Sequence, residues 1–304
     1  MKQGRVRVFL LTCPLIVTDS FGMTDRDHIS PPATLKSGWE QRGIAERNAD
    51  WARQSGGHSN PVWRVLGQDR DIICKLYVPS NHSPIFSNDP DHEAISLTAL
   101  AGTGIAPKML GRLRCEAGES LAYSYLDGPQ WRGNVQDVAV LMAHLHLQPV
   151  PDGLNSVRSD PDVLIDQTRQ MQPEMRISPM PEHPLPPVDP VFLHGDIVPG
   201  NLVETSEGLM LIDWQCPAKG DPCLDIAIFL SPAMQVIYGH HPLSEDEIGA
   251  FFTMYGHPNV TERYQILAPF FHTRMAAYCL WKGARGSASH AAAAVLELEA
   301  LEKL

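Results

Sequence analysis

A chain of 304 residues, 43% hydrophobic and 19% charged, can bury one large core or those of two ordinary lobes, and has the composition of a folded globular protein. A formal net charge of −11 with no long Lys/Arg run argues against a nucleic-acid binder, whose footprint is basic. The six cysteines form no CxxC pair and no Cys/His cluster at zinc spacing, which fits a reduced, cytoplasmic setting.

At the N-terminus, Lys2, Arg5 and Arg7 precede the apolar run Val8 to Val17 in the manner of a secretory signal, but no convincing small-residue cleavage site follows. Met23 opens an ordinary polar start, so residues 1–39 are read as an N-terminal extension, with an over-extended gene start before Met23 and a working signal as its two readings. No other segment is long and apolar enough to span a bilayer. Residues 40–127 are rich in strand patterns: Val62 to Leu66 and Ile72 to Val78 flank the turn Gly67-Gln-Asp-Arg70. One helix is inserted there, with Asp89 as cap, Pro90 at its first position, and Glu93, Leu97 and Leu100 on one face. Leu121 to Gly128 reads as a strand ending in a glycine hinge.

Residues 128–304 look mainly helical. Val135 to Leu147 carries Val138, Leu141, Met142 and Leu145 on one stripe. Pro149 to Pro190 holds about ten of the 26 prolines, which leaves room for one helix between Asp162 and Met175. Glu245 to Tyr255, Tyr264 to Trp281 and Ala291 to Leu304 are the remaining predicted helices.

Between the proline-rich zone and those last helices lies Val191-Phe-Leu-His194-Gly-Asp196-Ile-Val-Pro-Gly-Asn201-Leu-Val, followed by Leu209-Met-Leu-Ile-Asp213-Trp214. A turn over Glu204 to Gly208 pairs the two short apolar runs as a hairpin and folds Asn201 back opposite Asp213. Lys75 sits in an otherwise apolar strand, where an unpaired ammonium is costly, so it needs an anionic partner or an edge from which to reach solvent. Glu93 on the following helix is the natural partner. Upstream, Ser55-Gly56-Gly57-His-Ser59-Asn60 precedes a strand, and consecutive amides with glycines can form an anion-binding nest. An ordinary hairpin turn is the competing reading of that segment.

Taken together, Gly56-Gly-His-Ser-Asn60, Lys75, Glu93, Leu145-His146, His194-Gly-Asp196 with Asn201, Ile212-Asp-Trp214, and Gly220-Asp-Pro222 with Asp225 run in one order over about residues 50–230. In that order the chain resembles the aminoglycoside phosphotransferase and choline kinase superfamily. The resemblance implies an α+β, bilobal, protein-kinase-like fold with a small antiparallel β N-lobe and a larger, mainly α C-lobe. It implies ATP-dependent phosphorylation of a small-molecule hydroxyl, with ATP and Mg2+ as cofactors. Asp196 would take or orient the hydroxyl proton, with His194 fixing its loop. Asn201 and Asp213 would hold the metal, Gly56, Gly57, Ser59, Asn60, Lys75 and Glu93 the nucleotide, and Asp225 would brace the loop. Asp213 is followed by Trp-Gln rather than Phe-Gly, and no Ala-Pro-Glu segment follows, which disfavours a phosphorylation-gated protein kinase. Val198 stands where many relatives carry histidine.

The acceptor side is less legible. Phe271, Tyr278 and Trp281 on the predicted helix resemble the choline kinase helix that presents aromatics to a quaternary amine, which makes choline or ethanolamine the expected acceptor. The same residues at helical spacing also read as core. Aminoglycoside, thiamine or homoserine remain alternatives, as does a catalytically silent binding module. Oligomeric state is not readable.

Overall fold

The computed structural model describes residues 30–54, 60–78, 83–182 and 184–304. The signal-like segment and Met23, together with Gly56, Gly57 and Ser59, lie outside the described residues. Five strands build the first lobe: β1 (Asp50–Arg53), β2 (Val62–Leu66), β3 (Ile72–Leu76), β4 (Met109–Cys115) and β5 (Gly118–Ser124). They are antiparallel throughout, in the order β1-β2-β3-β5-β4. β3 is central and all five of its residues are buried, so its alternation separates two kinds of surroundings rather than core from solvent. Ile72, Cys74 and Leu76 pack with Trp39, while Ile73 packs with Leu97 and Leu121. Lys75 therefore shares the face of Ile73, not an edge.

Trp39 belongs to α1 (Ala33–Gln41), whose buried Leu35 and Trp39 face the sheet, and its indole N–H donates to Ser120 Oγ at 3.1 Å. The core of this lobe thus reaches back before residue 40. The other face is covered by α2 (Pro90–Ala99). Its start follows the predicted chemistry: the Asp89 carboxylate accepts from the amides of Asp91 (2.8 Å) and His92 (3.2 Å), and Pro90 occupies the first turn, where its missing N–H costs nothing.

The second lobe contains α3 (Val135–His146), α4 (Pro161–Met171), α5 (Cys223–Leu230), α6 (Pro232–Ile237), α7 (Glu245–Tyr255), α8 (Pro258–Gly283) and α9 (Ala288–Leu301). Helix α4 stops at Met171, short of the predicted Met175, because Pro173 biases Gln172 out of the helical region (φ −142°, ψ 88°). Helix α8 begins at Pro258, ahead of the predicted Tyr264, and runs 26 residues straight past Pro269. Packing against α4, α5 and α9 outweighs the hydrogen bond that the proline removes. Two short antiparallel pairs sit at the lobe boundary: β6 (Val191–Leu193) with β9 (Ala218–Gly220), and the hairpin β7 (Leu202–Thr205) with β8 (Gly208–Leu211). The hairpin register pairs Leu202 with Leu211, and its strands run on to Thr205 and Gly208, leaving a tighter turn than the predicted Glu204 to Gly208. Among the described residues, no helix is long and apolar enough to cross a membrane.

One buried charge in this lobe has little support. Arg274 on α8 is 5% exposed, its Nη1 donates to Gln167 Oε1 at 3.1 Å, its Nε has no acceptor, and no described carboxylate pairs with it. Burial pushes the guanidinium down to about 10. Arg274→Met, which keeps the stem volume and removes the desolvated charge, is expected to stabilise the fold by about 1–4 kcal/mol, read as a raised Tm in calorimetry.

Candidate active site

A cleft of about 440 Å³ separates the lobes, and both contribute to its lining. Val62 and Ile73 come from the sheet, Tyr125 and Leu126 from the connection between lobes, and Val203 and Ile212 from the hairpin below. At its polar end stand Lys75, Asp196, Asn201 and Asp213. Lys75 is 1% exposed and its Nζ lies 2.7 Å from Glu93 Oε2 and 2.5 Å from Asp213 Oδ1. The alternative of an edge position for this lysine is excluded by its burial on the central strand. Burial alone would push its pKa down, but the charges of Asp213 and Glu93 outweigh that and hold it above the ordinary value. The Tyr77 hydroxyl also donates to Glu93, a contact not anticipated from sequence.

The hairpin brings Asn201 and Asp213 together: Ile212 N–H donates to Asn201 O at 2.9 Å, just beyond the last paired residues. Asp213 then turns with φ +65°, a left-handed conformation that short polar side chains tolerate better than most. Its Oδ1 is held by Lys75. Asn201 Nδ2 donates to Asp196 O (2.9 Å) and Asp196 Oδ2 (3.2 Å), which orients Asn201 and leaves its Oδ1 without a hydrogen bond among the described residues. Two oxygens, Asn201 Oδ1 and Asp213 Oδ2, thus remain for a hard cation that prefers oxygen ligands. Asp196 is half-buried, and its pKa is raised to about 7, first by burial and then by the charge of Asp213, against the hydrogen bond from Asn201.

The loop carrying Asp196 is held by its backbone. Asp225, fully buried on α5, accepts the N–H of His194 (2.9 Å) and of Gly195 (2.7 Å). Gly195 has φ +80°, and a Cβ there would meet Cys216 O at 2.1 Å, so only glycine fits. Behind Asp225 runs a chain of hydrogen bonds: His146 Nε2 lies 3.2 Å from Asp225 Oδ2, and His146 Nδ1 lies 2.8 Å from the Tyr255 hydroxyl. His194 is fully buried beside Trp214, its ring 4.4 Å away. Its Nδ1 accepts the Asp196 N–H (3.2 Å), so Nε2 carries the proton and donates to Ile212 O (3.1 Å). Burial lowers its pKa, which keeps the ring neutral. It is an orienting residue tying the Asp196 loop to the Asp213 loop.

Asn60 also lines the cleft, while the predicted aromatic residues are placed differently. Asn60 is 2% exposed and its amide is fully engaged: Oδ1 accepts from Val78 N and Asn88 Nδ2, and Nδ2 donates to Asn88 Oδ1 and Gln215 Oε1. Phe271 is 3% exposed and stacks on Tyr264 inside the core. Trp281 stacks on Tyr278, and the Arg285 guanidinium lies 3.9 Å over its ring. Tyr278 is 6% exposed and is not among the residues lining the cleft. Sequence reasoning missed Tyr238, which lines the cleft beside Gly200, and Phe86, which meets Tyr278 edge-on at 5.1 Å. Neither carries a local signal, because each joins the aromatic group only through the folding of separate segments.

Comparison with solved structures finds the same fold at low identity. A choline/ethanolamine kinase family protein from Mesorhizobium loti superposes with TM-score 0.62 at 16% identity, covering 88% of this chain and 92% of that one. An aminoglycoside 2'-phosphotransferase-IIIa, solved as its GDP complex, gives 0.61 at 13%, covering 88% and 97%. A choline kinase from Cryptosporidium parvum Iowa II gives 0.60 at 14%, covering 86% and 92%. No curated protein matches the sequence. The bilobal arrangement is that of protein-kinase-like enzymes. The model of the phosphotransferase enzyme family matches residues 50–267, from the first strand of the sheet into α8, and the chain accordingly belongs to that family as a small-molecule kinase.

Proposed function

We propose that this kinase moves the γ-phosphoryl group of ATP to a hydroxyl of a small cationic amino alcohol such as choline or ethanolamine. The observation that carries this reading is the convergence of Asp196, Asn201, Asp213 and the Lys75–Glu93 pair on one cleft between the lobes. Phosphoryl transfer asks a protein for alignment and charge neutralisation and for little covalent chemistry of its own. The flat apolar walls at Val62, Ile73 and Leu126 suit a purine ring, and Lys75 reaches toward the phosphates. Asn201 Oδ1 and Asp213 Oδ2 would hold magnesium, which when bound neutralises triphosphate charge. Asp196 accepts the proton of the attacking hydroxyl as its oxygen bonds to the γ-phosphorus and ADP departs. A cytoplasmic setting belongs to the same proposal, because ATP is available there.

For the acceptor, Tyr238 on the cleft wall offers an aromatic face near Asp196, and a net charge of −11 favours a cation. Trp281 already carries Arg285 over its ring, and Phe271 and Tyr278 are enclosed, so Tyr238 takes the role first expected of those residues. The test is ADP release from ATP with magnesium and a panel of choline, ethanolamine, thiamine, homoserine and aminoglycosides. Choline or ethanolamine should be turned over fastest. Preference for another acceptor rejects the amino-alcohol assignment, and no release with any acceptor points to a silent binding module. Loss of one cation–π contact in Tyr238→Ala should raise the KM for choline about 2- to 30-fold, with little change in the KM for ATP.

A further inference from the structure

Gln215 follows the metal-side carboxylate by two residues and is 5% exposed. Its backbone carbonyl accepts from Ser87 Oγ at 3.2 Å and from the Asp89 N–H at 3.3 Å, where α2 begins. Its side-chain Oε1 accepts from Asn60 Nδ2 at 3.0 Å, at the entry to β2. Asn60 and Asn88 exchange a reciprocal pair of amide hydrogen bonds, and Asn60 also receives the Val78 N–H beyond the end of β3. Next in sequence, Cys216 donates its thiol to Ser87 O. One buried knot of three amide side chains therefore joins the Asp213 loop of the second lobe to the start of the helix bearing Glu93 and the end of the strand bearing Lys75.

Asp213 holds a left-handed backbone, a state with a cost for any residue but glycine. On its N-terminal side the turn is anchored within its own lobe, by Ile212 N to Asn201 O and by His194 to Ile212 O. On its C-terminal side the anchor is Gln215, and it crosses to the other lobe. We infer that Gln215 and Asn60 are positioning residues that set Asp213 against Lys75 and Glu93, and so make nucleotide binding respond to the divalent cation. The inference rests on the phosphotransfer reading of the cleft. A buried amide network holds its geometry only while every member is satisfied. Removing the Gln215 side-chain acceptor strands an Asn60 N–H and loosens the knot, while the backbone carbonyl keeps its bonds to Ser87 and Asp89.

The test is calorimetric binding of a non-hydrolysable ATP analogue, with magnesium and with EDTA, to wild type, Gln215→Leu, Gln215→Glu, Asn60→Asp and the Asn60→Asp/Gln215→Leu double variant. Wild type should bind more tightly with magnesium. Gln215→Leu and Asn60→Asp should each lose about tenfold of that magnesium enhancement, read as the ratio of the affinities with magnesium and with EDTA, and lose no more in combination. Gln215→Glu, which retains the acceptor oxygen, should keep the enhancement. Equal losses with and without magnesium, additive losses in the double variant, or a Gln215→Glu as weak as Gln215→Leu would overturn the inference. Absence of magnesium enhancement in wild type would instead sink the phosphotransfer reading on which it stands.

Discussion

Asp196→Asn is expected to lower kcat by about 10²–10⁴-fold, the usual worth of a positioned proton acceptor, while the affinity for ATP changes little. The amide keeps the shape of the carboxylate and can still meet Asn201, so what disappears is proton uptake alone. A change of kcat below tenfold would remove Asp196 from the role assigned to it. The pH profile gives an independent reading. Burial and the nearby charge of Asp213 raise the Asp196 pKa to about 7, so kcat/KM for the acceptor in the free enzyme should fall tenfold per unit below a limb near that value. Bound magnesium adds positive charge and moves the limb lower in the loaded enzyme. The same shift has a stability consequence of opposite sign to the usual salt-bridged carboxylate. The folded value lies above the ordinary 3.8, so the folded state binds more protons than the unfolded one between those two values. Stability contributed by the protonated form is therefore present at low pH and lost as pH rises through about 7. Asp196→Asn removes that penalty, and its Tm at pH 8 should exceed that of wild type by a few degrees while kcat falls.

Lys75→Met is expected to have the largest effect on stability. Lys75 and Glu93 are 1% and 0% exposed, and Lys75 is also the counter-charge of Asp213. Deleting the cation leaves one carboxylate fully buried and another facing it, and breaking such a pair costs about 3–5 kcal/mol. Methionine fills the stem volume, so the loss reports the charge rather than a cavity. Glu93 escapes part of the penalty by taking up a proton, against the hydrogen bond donated by Tyr77, which favours the charged form. Burial already raises its pKa, and loss of Lys75 raises it further, so the variant should become less stable as pH rises above the ordinary carboxylate range. Melting curves from pH 5 to 8 would show this slope in the variant and a flatter one in wild type. ATP binding should weaken by about 10- to 100-fold through the lost charge-assisted hydrogen bond. An unchanged Tm would mean that the ammonium is not held between the two carboxylates.

The parts of the molecule that were readable beforehand share a local cause. Asp89 and Pro90 mark the start of α2 because capping is chemistry within one turn. Leu202 and Leu211 pair because the two apolar runs are separated by a turn short enough to set its own register. Lys75 could be matched to Glu93 because a charge in a buried strand demands a partner and the next helix presents one. Where the reading fell short, tertiary packing outweighed local preference. α5 has all eight residues buried and hence no polar face to reveal a helical period, and α8 runs through Pro269 because its neighbours supply more than the missing hydrogen bond costs.

Taken alone, the sequence determined the chemistry of the cleft: which oxygens and which ammonium are present, in what order, and that the hairpin after Asn201 returns the chain to Asp213. Only the tertiary structure decided which of those groups face one another across the lobes. It placed Lys75 between Glu93 and Asp213, engaged all of the Asn60 amide in the knot with Asn88 and Gln215, and enclosed Phe271 while leaving Tyr238 on the cleft wall. The physical reason is that hydrogen bonding within a turn is set by neighbours in the chain. Burial and cross-lobe partnership depend instead on packing between segments far apart in sequence, which no local pattern encodes.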